Sequence, residues 1–199
     1  MSMNAAIEGC LSDLRRMATD SDGVQFQALV RFLKGDRAVF DDLAKVAQVD
    51  ETKPYGRRVL LETDELEVMV ASWTRGIPCA PHDHGGSAGA VRVLAGRARH
   101  QVWGIDNGTL RVVREETVEP GGVMACGPAL IHSMGDDGAS DPLVTLHMYT
   151  KSVDHMVVYD RGTDQTLVVE GSCGAWVPTD RPEMIRHAFA GVLEPSSIR

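Results

Sequence analysis

The sequence predicts an all-β fold, a closed barrel or jelly roll, with a helical segment in front of it. Three observations carry that expectation. Helix-spaced apolar residues mark residues 1–50, short β-branched segments recur at regular spacing after Lys53 with little helix among them, and turn-forming residues separate them.

In the first region Ile7, Leu11, Leu14 and Met17 fall at three- and four-residue spacing. So do Phe26, Leu29, Val30 and Leu33, and then Phe40, Leu43, Ala44 and Ala47. Breaks at Asp20–Gly23 and Gly35-Asp36 divide the region into two or three short helices. Beyond Lys53 the segments RRVLLET, LEVMVASW, AVRVLAG, RHQVWGI, TLRVVREETV, VMACG, LVTLHMYT, HMVVYD and TLVVEG read as strands. Between them stand Gly76, Pro81, Asp106-Asn107-Gly108, Pro120-Gly121-Gly122 and Asp136-Asp137-Gly138. Asn107-Gly108 supplies the positive φ of a tight hairpin. The expected layout is a helical cap over 1–50, a barrel over 51–178 and a C-terminal tail over 179–199, in one structural domain. The stretch from Asp180, RPEMIRHAFAGVLEP, reads as one more helix.

Composition removes several function classes. A net charge of −8 with no long Lys/Arg run argues against a nucleic-acid surface. No stretch approaches the 18 or so apolar residues of a membrane span, and the N-terminus lacks the apolar core of a secretory signal. Cys10, Cys79, Cys126 and Cys173 are far apart and form no C-x-x-C, which suits free thiols in a reducing cytoplasm.

The chemistry concentrates in GIPCAPHDHGGSAGAVRVLAG, residues 76–96. On an extended chain, side chains two apart share a face, so His82 and His84 can reach one ion, while Asp83 points away. A third histidine, His132, stands in a second Gly/Pro-marked turn, GGVMACGPALIHSM. Three neutral imidazoles suit Fe(II), Zn, Cu, Ni or Mn, and they leave positions open for substrate, as a catalytic site requires. Other histidines (His100, His155, His187) read as surface or packing residues, Cys79 as a small buried hydrophobe, and Trp73, Trp103 and Trp176 as packing.

The spacing resembles the cupin signature, G-x5-H-x-H-x(3,4)-E-x6-G, at Gly76, His82, His84 and Gly96. Its glutamate position falls on Gly89. The second half of the signature matches at Gly122, Pro128 and His132, with the Pro-to-His spacing one residue short and the final Asn absent. Within the cupins the chain resembles bacterial, arginine-type cysteine dioxygenase, of the thiol dioxygenase branch, over about residues 53–160. YGRR at Tyr55–Arg58, PHDHGGSAGAVRVLAG, PALIHSM and VTLHMYT at Val144–Thr150 carry the resemblance.

The resemblance implies a cupin barrel in which His82, His84 and His132 hold one Fe(II). It gives Arg57 the substrate carboxylate and Tyr55 a secondary contact. Tyr149 becomes the active-site tyrosine, with His147 orienting its hydroxyl and Thr145 in place of the family's serine. Gly89 stands where animal members carry the cysteine that cross-links to the tyrosine, so no cross-link is expected. The implied reaction inserts both atoms of O2 into the sulfur of L-cysteine, giving a sulfinate without reductant or organic cofactor. Small-molecule thiol and O2 are then the partners. Another carboxylated thiol (3-mercaptopropionate or mercaptosuccinate), a non-catalytic metal-binding cupin and a zinc or manganese isomerase are the alternatives. The last more often keeps the cupin glutamate.

Overall fold

Antiparallel pairing starts where helix-spaced apolar residues end. A computed structural model describes residues 4–18, 24–138 and 141–198, so the expected break at 20–23 lies outside the described residues. Among the described residues three helices come first: α1 (Ala5–Ala18), α2 (Phe26–Lys34) and α3 (Val39–Ala44). Eleven strands follow: β1 (Tyr55–Thr63), β2 (Leu66–Trp73), β3 (Gly89–Ala95), β4 (Ala98–Asp106), β5 (Thr109–Val118), β6 (Val123–Cys126), β7 (Ile131–Asp136), β8 (Val144–Tyr149), β9 (His155–Asp160), β10 (Gln165–Glu170) and β11 (Ile185–Ala190). No helix among the described residues is long and apolar enough to cross a membrane.

One sheet has the order β1-β2-β8-β3-β6. Opposite it run β5-β4-β7 and β11-β10-β9. These two ribbons are joined through residues 79–83, in which Cys79 and His82 bond to β7, Pro81 and Asp83 bond to β9, and His82 bridges both His132 and Val158. The result is the jelly-roll barrel expected of a cupin, with its interior between the two sheets.

Alternation along the strands of the first sheet sorts side chains between two cores. Val68, Val70, Ala90, Leu146 and Met148 face outward, where Ile7, Leu11, Leu14, Leu29, Leu33, Phe40 and Leu43 of the helices cover them. Met69, Ala71, Trp73, Val91, Val93 and Tyr149 face inward. Both faces of β2 and β8 are therefore buried, which is why LEVMVASW and LVTLHMYT read as near-continuous apolar runs. Arg58 follows the outward set, donating to the Val46 carbonyl at the end of the helical segment.

Two expectations are corrected here. His132 sits inside strand β7, not in a turn. The stretch after Asp180 forms one 3-10 turn at Pro182–Met184 and then β11, an edge strand paired with β10. Its apolar residues at helical spacing lose to the open hydrogen-bonding edge of β10, which gains a partner row when this segment is extended.

Candidate metal centre

His82, His84 and His132 each offer a ring nitrogen, and the three atoms lie within 4.8 Å of one another. All three side chains are buried, at 5%, 2% and 2% exposure. The backbone explains how they meet. The His82 N–H donates to the His132 carbonyl (2.9 Å), and the His132 N–H returns a bond to the His82 carbonyl (3.0 Å). Asp83, pointing the other way as expected, accepts from the Gly85 and Val157 amides and so pins the H-x-H segment against β9. Gly85 and Gly86 then turn the chain at positive φ (59° and 85°), and Gly85 packs against the His155 carbonyl.

Hydrogen bonds fix which nitrogen is free in two of the three rings, while His84 Nδ1 has no partner among the described residues. His82 Nδ1 donates to the Ala80 carbonyl at 2.9 Å, leaving Nε2 with its lone pair. His132 is set by a longer chain. Glu116 Oε1 lies 3.0 Å from His100 Nδ1, and a carboxylate can only accept, so that nitrogen carries the proton. His100 Nε2 then accepts from His132 Nδ1 at 3.1 Å, and His132 Nε2 is left bare. Nε2 of His132 and Nε2 of His84 are 3.3 Å apart. Burial holds His82 down to about 4 and drives His84 and His132 well below the ordinary histidine value, so all three rings are neutral at pH 7 and can offer lone pairs. A single proton between His84 and His132 is one that a metal ion can displace. The donor set fits a transition metal.

Beside the histidines runs a second hydrogen-bonded row on β8. Trp73 Nε1 donates to Thr145 Oγ1 (2.8 Å), Thr145 Oγ1 lies 2.8 Å from His147 Nε2, and His147 Nδ1 lies 3.1 Å from Tyr149 Oη. An indole N–H can only donate, so Thr145 Oγ1 accepts from Trp73. With the Thr145 hydroxyl donating to His147 Nε2, His147 Nδ1–H donates to Tyr149 and the Tyr149 O–H is left to donate elsewhere. Burial lowers His147 to about 3 and pushes the Tyr149 phenol well above its usual value, so the row is neutral at pH 7.

Gly89 explains the empty glutamate position. A Cβ there would sit 2.6 Å from Cε1 of the Tyr149 ring and nearer still to Cδ1. The tyrosine ring, tilted by 52° to that of His84 at a centroid distance of 4.9 Å, occupies the space a side chain at residue 89 would need.

His82, His84, His132, Trp73, His147 and Tyr149 line one cavity of about 30 Å³, together with Tyr55, Arg57, Glu67, Met69, Cys79, Met134, Val153, Met156, Gly171 and Gly174. That is room for a compact ligand only. Tyr55 accepts from the Ala175 amide (2.9 Å) and its ring packs on Trp73 and Trp176, so the SCGAW stretch closes one wall. Burial raises the Cys79 thiol to about 12, which keeps it protonated beside His82.

The chain matches the sequence profile described as cysteine dioxygenase type I over residues 7–162. It belongs to that family. Among solved structures it is similar to a conserved protein with a double-stranded β-helix domain from Klebsiella pneumoniae, 17% identical, covering 60% of this chain and 95% of that one, with a TM-score of 0.48. It is also similar to a cupin superfamily protein from Desulfitobacterium hafniense, 16% identical, covering 55% of this chain and 87% of that one, with a TM-score of 0.44. Family membership makes this a dioxygenase-type enzyme, and the three histidines are where a member of the cysteine dioxygenase type I family could bind its metal.

Three functional neighbours escaped the sequence reading. His100 is 1% exposed and holds His132, where a surface or packing residue was expected. Trp73 anchors the row on β8 as well as packing. Glu67 is 2% exposed and sits in the cavity wall against Arg57, with Nη2 to Oε1 at 2.8 Å.

Proposed function

We propose that this chain is an iron(II)-dependent thiol dioxygenase that converts L-cysteine and O2 to cysteine sulfinate. The observation that carries the reading is that three converging buried imidazoles, a tyrosine and an arginine line one small cavity in a member of this family. The reaction balances without a co-reactant. RSH and O2 give RSO2⁻ and a proton, with the sulfur supplying all four electrons.

His82, His84 and His132 would hold the iron, which when bound supplies the one-electron chemistry that lets triplet O2 react with a closed-shell thiolate. A neutral ligand set leaves the full charge of the metal to attract that thiolate. Arg57 orients the substrate by donating to its carboxylate. Its Nε is buried without a partner among the described residues, so a donor is available, and guanidinium does not lose its charge at working pH. Tyr55 supports this end of the cavity through its ring. The row Thr145–His147–Tyr149 keeps the tyrosine protonated and aimed, so that its O–H donates to the reacting atoms. Met69, Met134, Met156 and Val153 exclude water from the oxidised sulfur.

The test is oxygen uptake by the Fe(II)-loaded protein with L-cysteine, 3-mercaptopropionate and mercaptosuccinate in parallel, with sulfinate identified by mass. Uptake is expected to be strongest with L-cysteine and to be lost in Arg57→Ala. Stronger uptake with another thiol overturns the substrate. Iron bound stoichiometrically with no uptake from any thiol overturns the enzyme.

A further inference from the structure

Arg57 does not enter the cavity as a lone cation. Its Nη2 contacts Glu67 Oε1 at 2.8 Å, and its Nη1 donates to the Gly171 carbonyl at 2.7 Å. Glu67 Oε2 in turn accepts from the Val153 amide at 3.1 Å. The carboxylate is almost wholly buried, on strand β2 directly opposite Tyr149 of β8. The end of the cavity that should recognise the substrate's carboxylate therefore already holds one carboxylate of its own.

This matters for which thiols fit. Removing one partner from a buried ion pair leaves an uncompensated charge, so an incoming carboxylate does not simply displace Glu67. It must share Arg57 with Glu67. A guanidinium has five N–H donors, of which two are used here, and the unpartnered Nε is among the rest. A carboxylate has about four lone-pair positions, and Glu67 uses two. The pair thus offers a donor and an acceptor side by side. A head group carrying carboxylate and amino group on one carbon presents its acceptor and donor side by side as well. A thiol with a carboxylate and no amine would bring a second negative charge against Glu67 and leave the remaining lone pairs of Glu67 unmatched.

We infer that Glu67 is a specificity-determining residue that accepts a hydrogen bond from the amino group of an α-amino-acid thiol whose carboxylate lies on Arg57. The inference rests on the dioxygenase reading for its reaction. It adds that the amine is read by the protein: an amine that gives its lone pair to a metal still keeps two N–H bonds, so both contacts are compatible.

The experiment compares L-cysteine with 3-mercaptopropionate, which keeps thiol, carboxylate and carbon count and lacks only the amine. Anaerobic titration of the Fe(II)-loaded protein gives Kd for each thiol, and aerobic turnover gives kcat/KM. The wild-type protein is expected to favour L-cysteine at least tenfold in both. In Glu67→Gln, which keeps the shape and one accepting oxygen for either Val153 or Arg57, the preference is expected to fall at least tenfold, with most of the change in KM. An unchanged ratio overturns the inference even if both substrates weaken together, because that is what a residue merely holding Arg57 would do. Where the variant does not fold, equal binding of the two thiols to wild type overturns it. If neither thiol consumes oxygen, the dioxygenase reading fails while the ratio of Kd values still decides the role of Glu67. If wild type binds neither thiol, both fail.

Discussion

Replacing His100 by leucine should weaken metal binding without touching a ligand. In the folded protein His100 accepts the proton of His132 Nδ1 at 3.1 Å and hands its own to Glu116 at 3.0 Å. Leucine fills much of the same volume but accepts nothing. The His132 Nδ1–H then has only Cys126 Sγ at 3.7 Å, a weak acceptor, and the ring is free to turn or to change tautomer. Outer partners of ligating histidines typically contribute ~10–100-fold in metal affinity, which is about 1.4–2.7 kcal/mol. Stability should fall by a similar ~1–3 kcal/mol, the cost of a buried donor without a partner. Competition titration against a chelator, with Fe(II) or Co(II) under anaerobic conditions, reads the affinity directly. His187→Leu, on the exposed strand β11, is the control and should leave affinity unchanged. His100→Gln, which can still accept, should recover part of the loss. Glu116 is 40% exposed, so Glu116→Gln should act more weakly. Wild-type affinity in His100→Leu would refute the idea that this chain of bonds sets the ligand.

Two further outcomes follow from the same geometry. Gly89→Ala places a methyl group against the Tyr149 ring, so melting and oxygen uptake should show a loss of about 1–3 kcal/mol and reduced turnover as the hydroxyl leaves His147; unchanged melting and turnover would count against the packing argument. His147 is buried and lowered to about 3, so between that value and the unfolded value of 6.5 only the unfolded chain binds its proton, and stability must fall as pH falls. The contribution of His147 to denaturant unfolding of the metal-free protein should be a loss of about 1.4 kcal/mol from pH 7.5 to 5.5, absent in His147→Gln if that variant folds; an identical pH slope in the two proteins would contradict it.

Strand content and much of the histidine cluster were legible because both depend on local pattern. Alternation or unbroken apolar runs marked nine of the strands, and H-x-H spacing marked His82 and His84. Strand β7 was hidden because its six residues include the polar His132 and Ser133 and follow a Gly/Pro turn. Strand β11 was hidden because IRHAFA suits a helix, and only the unpaired edge of β10 decides otherwise. His100 left a faint signal, since it alternates with the buried Ala98 on β4 and lies diagonally across from His132. Glu67 left a clearer one. A lone carboxylate in LEVMVASW, on the face shared by Met69, Ala71 and Trp73, had to be buried with a cation. Which cation was a matter of tertiary geometry, and no spacing rule reaches from Arg57 to Glu67 on the adjacent strand.

The strand-like segment 79–83 that laces the two ribbons together also carries His82, so the seam and the histidine cluster share one piece of backbone. His82 contributes its amide and carbonyl to closing the barrel and its imidazole to the cluster. An alanine there removes one nitrogen and leaves the wall shut, because the backbone bonds do not need the side chain. Under the proposed function, the place of the metal is inherited from the closure of the barrel, while residues such as Arg57 and Glu67 on the opposite sheet can change without disturbing it.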